Sequence, residues 1–141
     1  MAIRWDKFTV KSQEAMQYAS TLAAQNGNPE LLPIHLLAVL LDDREGIIVP
    51  VLQKIGVPTD RLHQDADRAV DALPKVSGSS AQPGMSNALQ KVVDRAFKEA
   101  EEFKDEYVST EHLLLALSLQ KNDPAQLAMA AQGATIPHAA P

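Results

Sequence analysis

The chain has no cysteine among its 141 residues, which excludes disulfides, thiolate nucleophiles and thiolate metal ligands. Aromatic residues make up only 4%, so a core has to be built from Leu, Ala, Val and Met. Basic residues are in the minority: 13 Lys and Arg against 18 Asp and Glu leave a net charge of −5. Binding a phosphate backbone needs clustered cations, so nucleic acid is not an expected partner. No apolar run exceeds about six residues, against the roughly twenty that a membrane helix needs. No membrane partner is expected, and the opening residues lack the apolar stretch of a secretory signal. The expectation is a cytoplasmic protein. Neither a Walker A pattern nor Gly-x-Gly-x-x-Gly occurs. His35, His63, His112 and His138 form no His-x-x-x-His or His-Glu-x-x-His pair. No catalytic residue, metal site or cofactor is therefore expected in this chain.

What the chain does contain is a repeat. His35-Leu36-Leu37-Ala38-Val39-Leu40-Leu41 returns as His112-Leu113-Leu114-Leu115-Ala116-Leu117-Ser118, a shift of 77 residues without a gap. The same shift carries Gln13 onto Gln90, Ala19 onto Ala96, Ala23 onto Ala100 and Gly56 onto Gly133. Thr9 falls on Ser86, both suited to start a helix. Overall identity between the halves is low, so the weight lies in the clustering and in punctuation at equivalent places.

Val10, Ala15, Ala19, Leu22 and Ala23 recur at helical spacing and predict one buried stripe behind a Thr9 cap. That helix should stop at Asn26-Gly27-Asn28-Pro29. A second should start at Pro33, where a missing N–H costs nothing, and run to about Asp43. A short third helix spans Ile47 to Ile55 and ends on Gly56; a fourth follows Pro58-Thr59 with Leu62, Ala66, Ala69, Val70 and Leu73 on one face. Residues 74–84, rich in Ser, Gly and Pro, read as a flexible linker. The pattern then restarts: a helix from Ser86 to about Phe103, one capped by Ser109, and one opened by Asp123-Pro124 and closed by Gly133. Two prolines among the last six residues exclude a further helix there. The expected architecture is all-α: one domain over 1–141, made of two tandem pseudo-symmetric four-helix repeats. Repeat one covers about 8–73 and repeat two about 85–136, its last helix truncated or altered. No stretch alternates like a strand, so no sheet of consequence is expected.

His35 and His112 take matching places before leucines, which reads as structural packing in both copies. Glu99, Glu101, Glu102, Asp105 and Glu106 form the densest acidic stretch and read as a solvated helix face. Asp105 falls in the turn after the fifth helix. Glu111 falls in the first turn of the sixth, where it can favour the helix dipole or present a carboxylate at a groove edge; spacing leaves both open. The leucine runs read mainly as core, with any exposed remainder an apolar groove for a peptide.

The run Lys104-Asp105-Glu106-Tyr107-Val108-Ser109-Thr110-Glu111-His112-Leu113-Leu114-Leu115-Ala116-Leu117 closely resembles the second repeat of the Clp N-terminal domain family. Phe8-Thr9-Val10-Lys11-Ser12-Gln13-Glu14-Ala15 and Pro33-Ile34-His35-Leu36-Leu37 resemble its first. Ala72-Leu73-Pro74-Lys75-Val76 before a Gly/Ser linker is most similar to the ATP-driven disaggregase members. The resemblance, covering about Phe8 to Gly133, implies a double four-helix fold and a non-enzymatic domain that engages unfolded or aggregated proteins. It implies a homohexameric AAA+ parent, whose ATP and Mg sites lie in modules missing here, and a partner system of Hsp70 type. Substrate handling maps by motif position onto Thr9, Asp105 and Glu111. Val93 and His112 fall where the family's groove has apolar side chains, and Arg95 replaces an apolar residue of some members. Docking of a folded adaptor, or regulation of the ATPase ring, are the alternative roles that it implies.

Overall fold

A computed structural model describes residues 3–76 and 82–134, and among them the chain is built from seven α-helices. They are α1 (Val10–Gln25), α2 (Pro33–Asp42), α3 (Ile48–Lys54), α4 (Thr59–Asp71), α5 (Asn87–Glu102), α6 (Thr110–Leu119) and α7 (Pro124–Ala131). A 3₁₀ turn, Trp5–Lys7, precedes α1. The expected flexible linker lies partly outside the described residues, at 77–81, as do the C-terminal residues 135–141.

The caps sit where short polar residues demanded them. Thr9 accepts the Ser12 N–H at 3.1 Å, Ser86 accepts that of Leu89 at 3.1 Å, and Asp123 accepts that of Ala125 at 2.9 Å. Burial pushes the Asp123 carboxyl above its ordinary range, and the Ala125 N–H works against that shift. Chain reversal after α1 uses Gly27 at φ +72°, with the Asn28 N–H closing on Ala23 O at 2.9 Å. The equivalent turn after α5 uses Lys104 at φ +59°, and Asp105 N–H closes on Ala100 O at 2.8 Å.

The two leucine helices are the centre of the molecule. Leu36, Leu37 and Leu40 of α2 and Leu113, Leu114 and Leu117 of α6 are all buried, and the other helices wrap them into one continuous core. Burying consecutive positions on a ten-residue helix needs neighbours on several sides, which α1, α4 and α7 supply to α2.

Two short parallel pairings join the halves. Phe8 pairs with Val108, just ahead of α1 and α6. The two-residue strands β1 (Glu30–Leu31) and β2 (Gly84–Met85) pair just ahead of α2 and α5, with Leu31 opposite Met85. A shift of 77 carries Phe8 onto Met85 and Leu31 onto Val108, so one pairing is the symmetry counterpart of the other. The hydrogen bonds agree: Thr9 N–H donates to Val108 O at 3.1 Å, and Ser86 N–H donates to Leu31 O at 3.0 Å. Each copy's first helix is thereby anchored to the segment entering the other copy's second helix.

Two expectations need correcting. Helical spacing puts Val10 on the buried stripe of α1, yet it is 72% exposed. Five residues separate it from Ala15, about 140° around a helix of 3.6 residues per turn, so it points away from that stripe. The acidic stretch puts Glu99 on a solvated face, yet it is 1% exposed. It lies on the face that α5 buries, beside Val92, Ala96 and Ala100, and accepts Arg95 Nε–H at 2.9 Å.

Candidate functional site

Because α1 turns Ser12, Ala15, Met16, Ala19 and Ala23 inward, its outer side is free. That outer side, the C-terminal end of α2, the turn at 43–47 and the first turn of α6 enclose an open cleft of about 1120 Å³. Its floor is apolar: Ala15, Ala38 and Leu40 are buried there, with Leu22 and Val39 half-buried. Val10, Tyr18 and Ile47 stand exposed at its edges, Tyr18 at 62%. Isolated exposed apolar residues are ordinary, but three around an apolar floor make a surface that water covers poorly.

The rim is acidic. Glu14, Asp42, Asp43, Glu45, Asp67 and Glu111 face two cations, Lys11 and Arg44. Lys11 pairs with Asp43 at 3.3 Å, and hydrogen bonding to that carboxylate raises the Lys11 ammonium above its ordinary value. Both groups are well exposed, so the pair contributes little to stability. His63 Nε2 lies 3.7 Å from Asp42 and 3.6 Å from Asp67, bridging α2 to α4. Among the described residues no three His, Asp or Glu side chains gather to hold a metal ion. No helix among them is long and apolar enough to cross a membrane.

Of the five residues singled out in the sequence, the cleft brings together Thr9 and Glu111. Both line the cleft because the Phe8–Val108 pairing brings together the segments just ahead of α1 and α6. Ser109 caps α6, accepting the His112 N–H at 3.4 Å, while Glu111 stands in the first turn of that helix and also lines the cleft, so the two readings of its carboxylate are compatible. Val93 is not at the cleft; it is fully buried in the common core. His112 is 8% exposed, accepts the Ser109 N–H at Nδ1 (2.9 Å) and places Nε2 2.8 Å from Asp105 Oδ2. Asp105 is off the cleft wall, turned to His112.

His35 repeats that arrangement in the first copy. Its Nδ1 accepts the Leu32 N–H at 2.9 Å and its Nε2 meets Asn28 Oδ1 at 2.8 Å. Burial lowers its pKa, and an Nδ1 that accepts a backbone N–H has no room for a proton. The structural reading of both histidines agrees with this geometry.

Sequence reasoning missed Tyr18, Ile47, Glu14 and the carboxylates at the end of α2. A second, smaller cleft of about 570 Å³ explains why the repeat did not reveal them. It is the counterpart of the first: a shift of 77 turns Glu14 into Lys91, Tyr18 into Arg95, Thr21 into Lys98 and Asp42 into Leu119. Core and caps were duplicated, whereas the cleft walls diverged in charge and polarity.

The family model of the Clp repeat (R) N-terminal domain matches residues 7–132. Chaperone protein ClpB of Mycobacterium leprae is 41% identical over 119 residues, 84% of this chain and 14% of that protein. The chain thus spans about one-seventh of the length of such relatives. The crystal structure of the Hsp104 N-terminal domain from Candida albicans superposes with a TM-score of 0.80 at 23% identity, covering 90% of this chain and 82% of that one. A ClpV N-domain in complex with a VipB peptide superposes with a TM-score of 0.73 at 21% identity, covering 94% and 81%.

Proposed function

Because this chain belongs to the Clp repeat (R) N-terminal domain family, we propose that it engages substrate for an ATP-driven protein disaggregase of ClpB type. In this reading the cleft beside α1 grips exposed apolar segments of unfolded or aggregated polypeptide and releases them to an ATPase ring. ATP, Mg and hexamer assembly belong to modules outside this stretch, and a chaperone of Hsp70 type works alongside. A cytoplasmic setting goes with that role.

One observation carries the reading: Val10, Tyr18 and Ile47 stand exposed in an open cleft with an apolar floor. An extended segment needs such a trough, and side chains of many shapes can lie in it without a fitted pocket. Weak binding suits the task, since the captured segment must be passed on. The acidic rim adds a preference for segments that carry Lys or Arg beside their apolar residues.

The test is to titrate a permanently unfolded protein into the domain and follow its backbone amide NMR signals. Shifts are expected along Thr9, Glu14, Tyr18, Ile47 and Glu111, shrinking as salt rises. Saturating shifts confined to other surfaces would remove the cleft from the mechanism. A second reading, docking of one defined partner peptide, is favoured by the ClpV N-domain that holds a VipB peptide on a similar fold. Capture of a single stoichiometric partner, in place of a mixture of unfolded chains, would select it.

A further inference from the structure

The two copies contain the same three-part device, and only one of them stands at the cleft. In the first copy Asn28 Oδ1 meets His35 Nε2 at 2.8 Å, and His35 Nδ1 accepts the Leu32 N–H at 2.9 Å. In the second, Asp105 Oδ2 meets His112 Nε2 at 2.8 Å, and His112 Nδ1 accepts the Ser109 N–H at 2.9 Å. All three positions are related by the shift of 77. Asn28 and His35 are buried, and Asn28 Nδ2–H is tied to Pro74 O at 3.1 Å, so its carbonyl is aimed at the ring. That device locks the entry to α2 within the core.

The second device locks the entry to α6, and Ser109, Thr110 and Glu111 at that entry are cleft wall. A carboxylate can only accept, so Asp105 requires the proton on Nε2 and leaves Nδ1 bare for the Ser109 N–H. Asp105 is itself held by its own N–H, bonded to Ala100 O at 2.8 Å behind the Lys104 turn. The Phe103 ring, 6.5 Å from the imidazole centre, flanks it from the end of α5. The chain of contact runs from the end of α5, through Asp105 and His112, to the backbone that carries Thr110 and Glu111.

We propose that Asp105 is a positioning residue: it sets Thr110 and Glu111 at the cleft through the His112 ring, and does not itself touch the bound polypeptide. The inference rests on the cleft being the substrate site. Asn28 shows within this fold that a neutral amide carbonyl can perform the same task, which supplies the discriminating variant.

The experiment measures binding of a fluorescent, unstructured peptide of apolar residues flanked by lysines to the wild-type chain, Asp105→Ala, Asp105→Asn and Glu111→Ala. In parallel, ¹⁵N shifts of the imidazole nitrogens report the His112 tautomer, and hydrogen exchange reports the Ser109 amide. Asp105→Ala should bind about fivefold more weakly, with a mixed tautomer and a faster Ser109 amide. Asp105→Asn should keep the wild-type tautomer and bind within about twofold of wild type. Asp105→Ala added to Glu111→Ala should cost less than it does alone, because both act at one turn. Two results overturn the proposal. One is Asp105→Asn binding as weakly as Asp105→Ala with the tautomer intact, which makes the charge itself a ligand contact. The other is Asp105→Ala leaving tautomer and Ser109 exchange unchanged. Absence of peptide binding by wild type would sink the cleft reading instead, while the tautomer and exchange measurements still judge the positioning chain.

Discussion

Thr9 uses one oxygen twice: Oγ1 accepts the Ser12 N–H at 3.1 Å and lies 2.9 Å from Ser12 Oγ, at the same spot where the cleft begins. Loss of binding in a Thr9 variant therefore cannot be assigned before stability is known. Thr9→Ala should cost about 1 kcal/mol of unfolding free energy through the lost cap, and Thr9→Ser only a small part of that. Chemical denaturation of both variants measures the cap, and peptide binding by Thr9→Ser then isolates the methyl group at the cleft edge. His35 makes a prediction of opposite character, since it is remote from solvent. Its folded pKa lies below the ordinary 6.5, chiefly because burial disfavours the imidazolium. The unfolded chain thus takes up a proton that the folded chain refuses, and stability falls as pH drops below about 6.5. Thermal midpoints between pH 7.5 and 5 should decline for wild type, and more shallowly in His35→Gln, whose midpoint at neutral pH is lower.

Between elements, the turns after α1 and α5 do one job with different residues. Gly27 takes φ +72° without strain, while Lys104 holds φ +59° against its own Cβ. The left-handed conformation costs a residue with a side chain about 1–2 kcal/mol, and glycine's extra freedom in the unfolded chain returns about half of that. Lys104→Gly should therefore stabilise the domain by about 0.5–1 kcal/mol, read from urea midpoints; destabilisation would mean that the Lys104 side chain makes a contact of greater worth. The pair also shows which features were legible in the sequence. Gly27, Pro33, Ser86, Ser109 and Asp123 mark turns and caps by local chemistry, so helix ends followed from neighbouring residues. The leucine runs announced burial because such density has no other home. Val10 and Glu99 misled for one reason: side-chain chemistry stood in for helix position, since Val10 lies about 140° from Ala15 on the outer side of α1 while Glu99 lies on the buried face of α5 with Ala96 and Ala100. The cleft was legible only at its end, through Thr9 and Glu111. Tyr18, Asp42, Ile47 and Asp67 come from separate elements, and as single residues each reads as an ordinary surface position.

For the molecule as a whole, the repeat raises the question of whether two copies unfold as two units. The contacts favour one. α4 of the first copy packs on α7 of the second, α2 packs on α6, and the buried residues of both belong to a single cluster. The segments ahead of α1 and α6, and of α2 and α5, pair across the copies, so neither copy can form these pairings alone. Leu36 and its counterpart Leu113 are both fully buried, and truncating either to alanine should cost about 2–5 kcal/mol. Set against a total of about 5–15 kcal/mol for a domain, either loss weakens the whole fold. Leu36→Ala should accordingly lower the midpoint of residues in α5 and α6 as much as that of residues in α1 and α2. Residue-resolved amide signals followed through a urea titration decide the matter. One shared midpoint in wild type and in each variant is the expected result. If Leu36→Ala melts the first copy while the second keeps its wild-type midpoint, the shared core is not a cooperative unit, and the cleft, built from α1, α2 and the start of α6, would have to form from parts that fold separately.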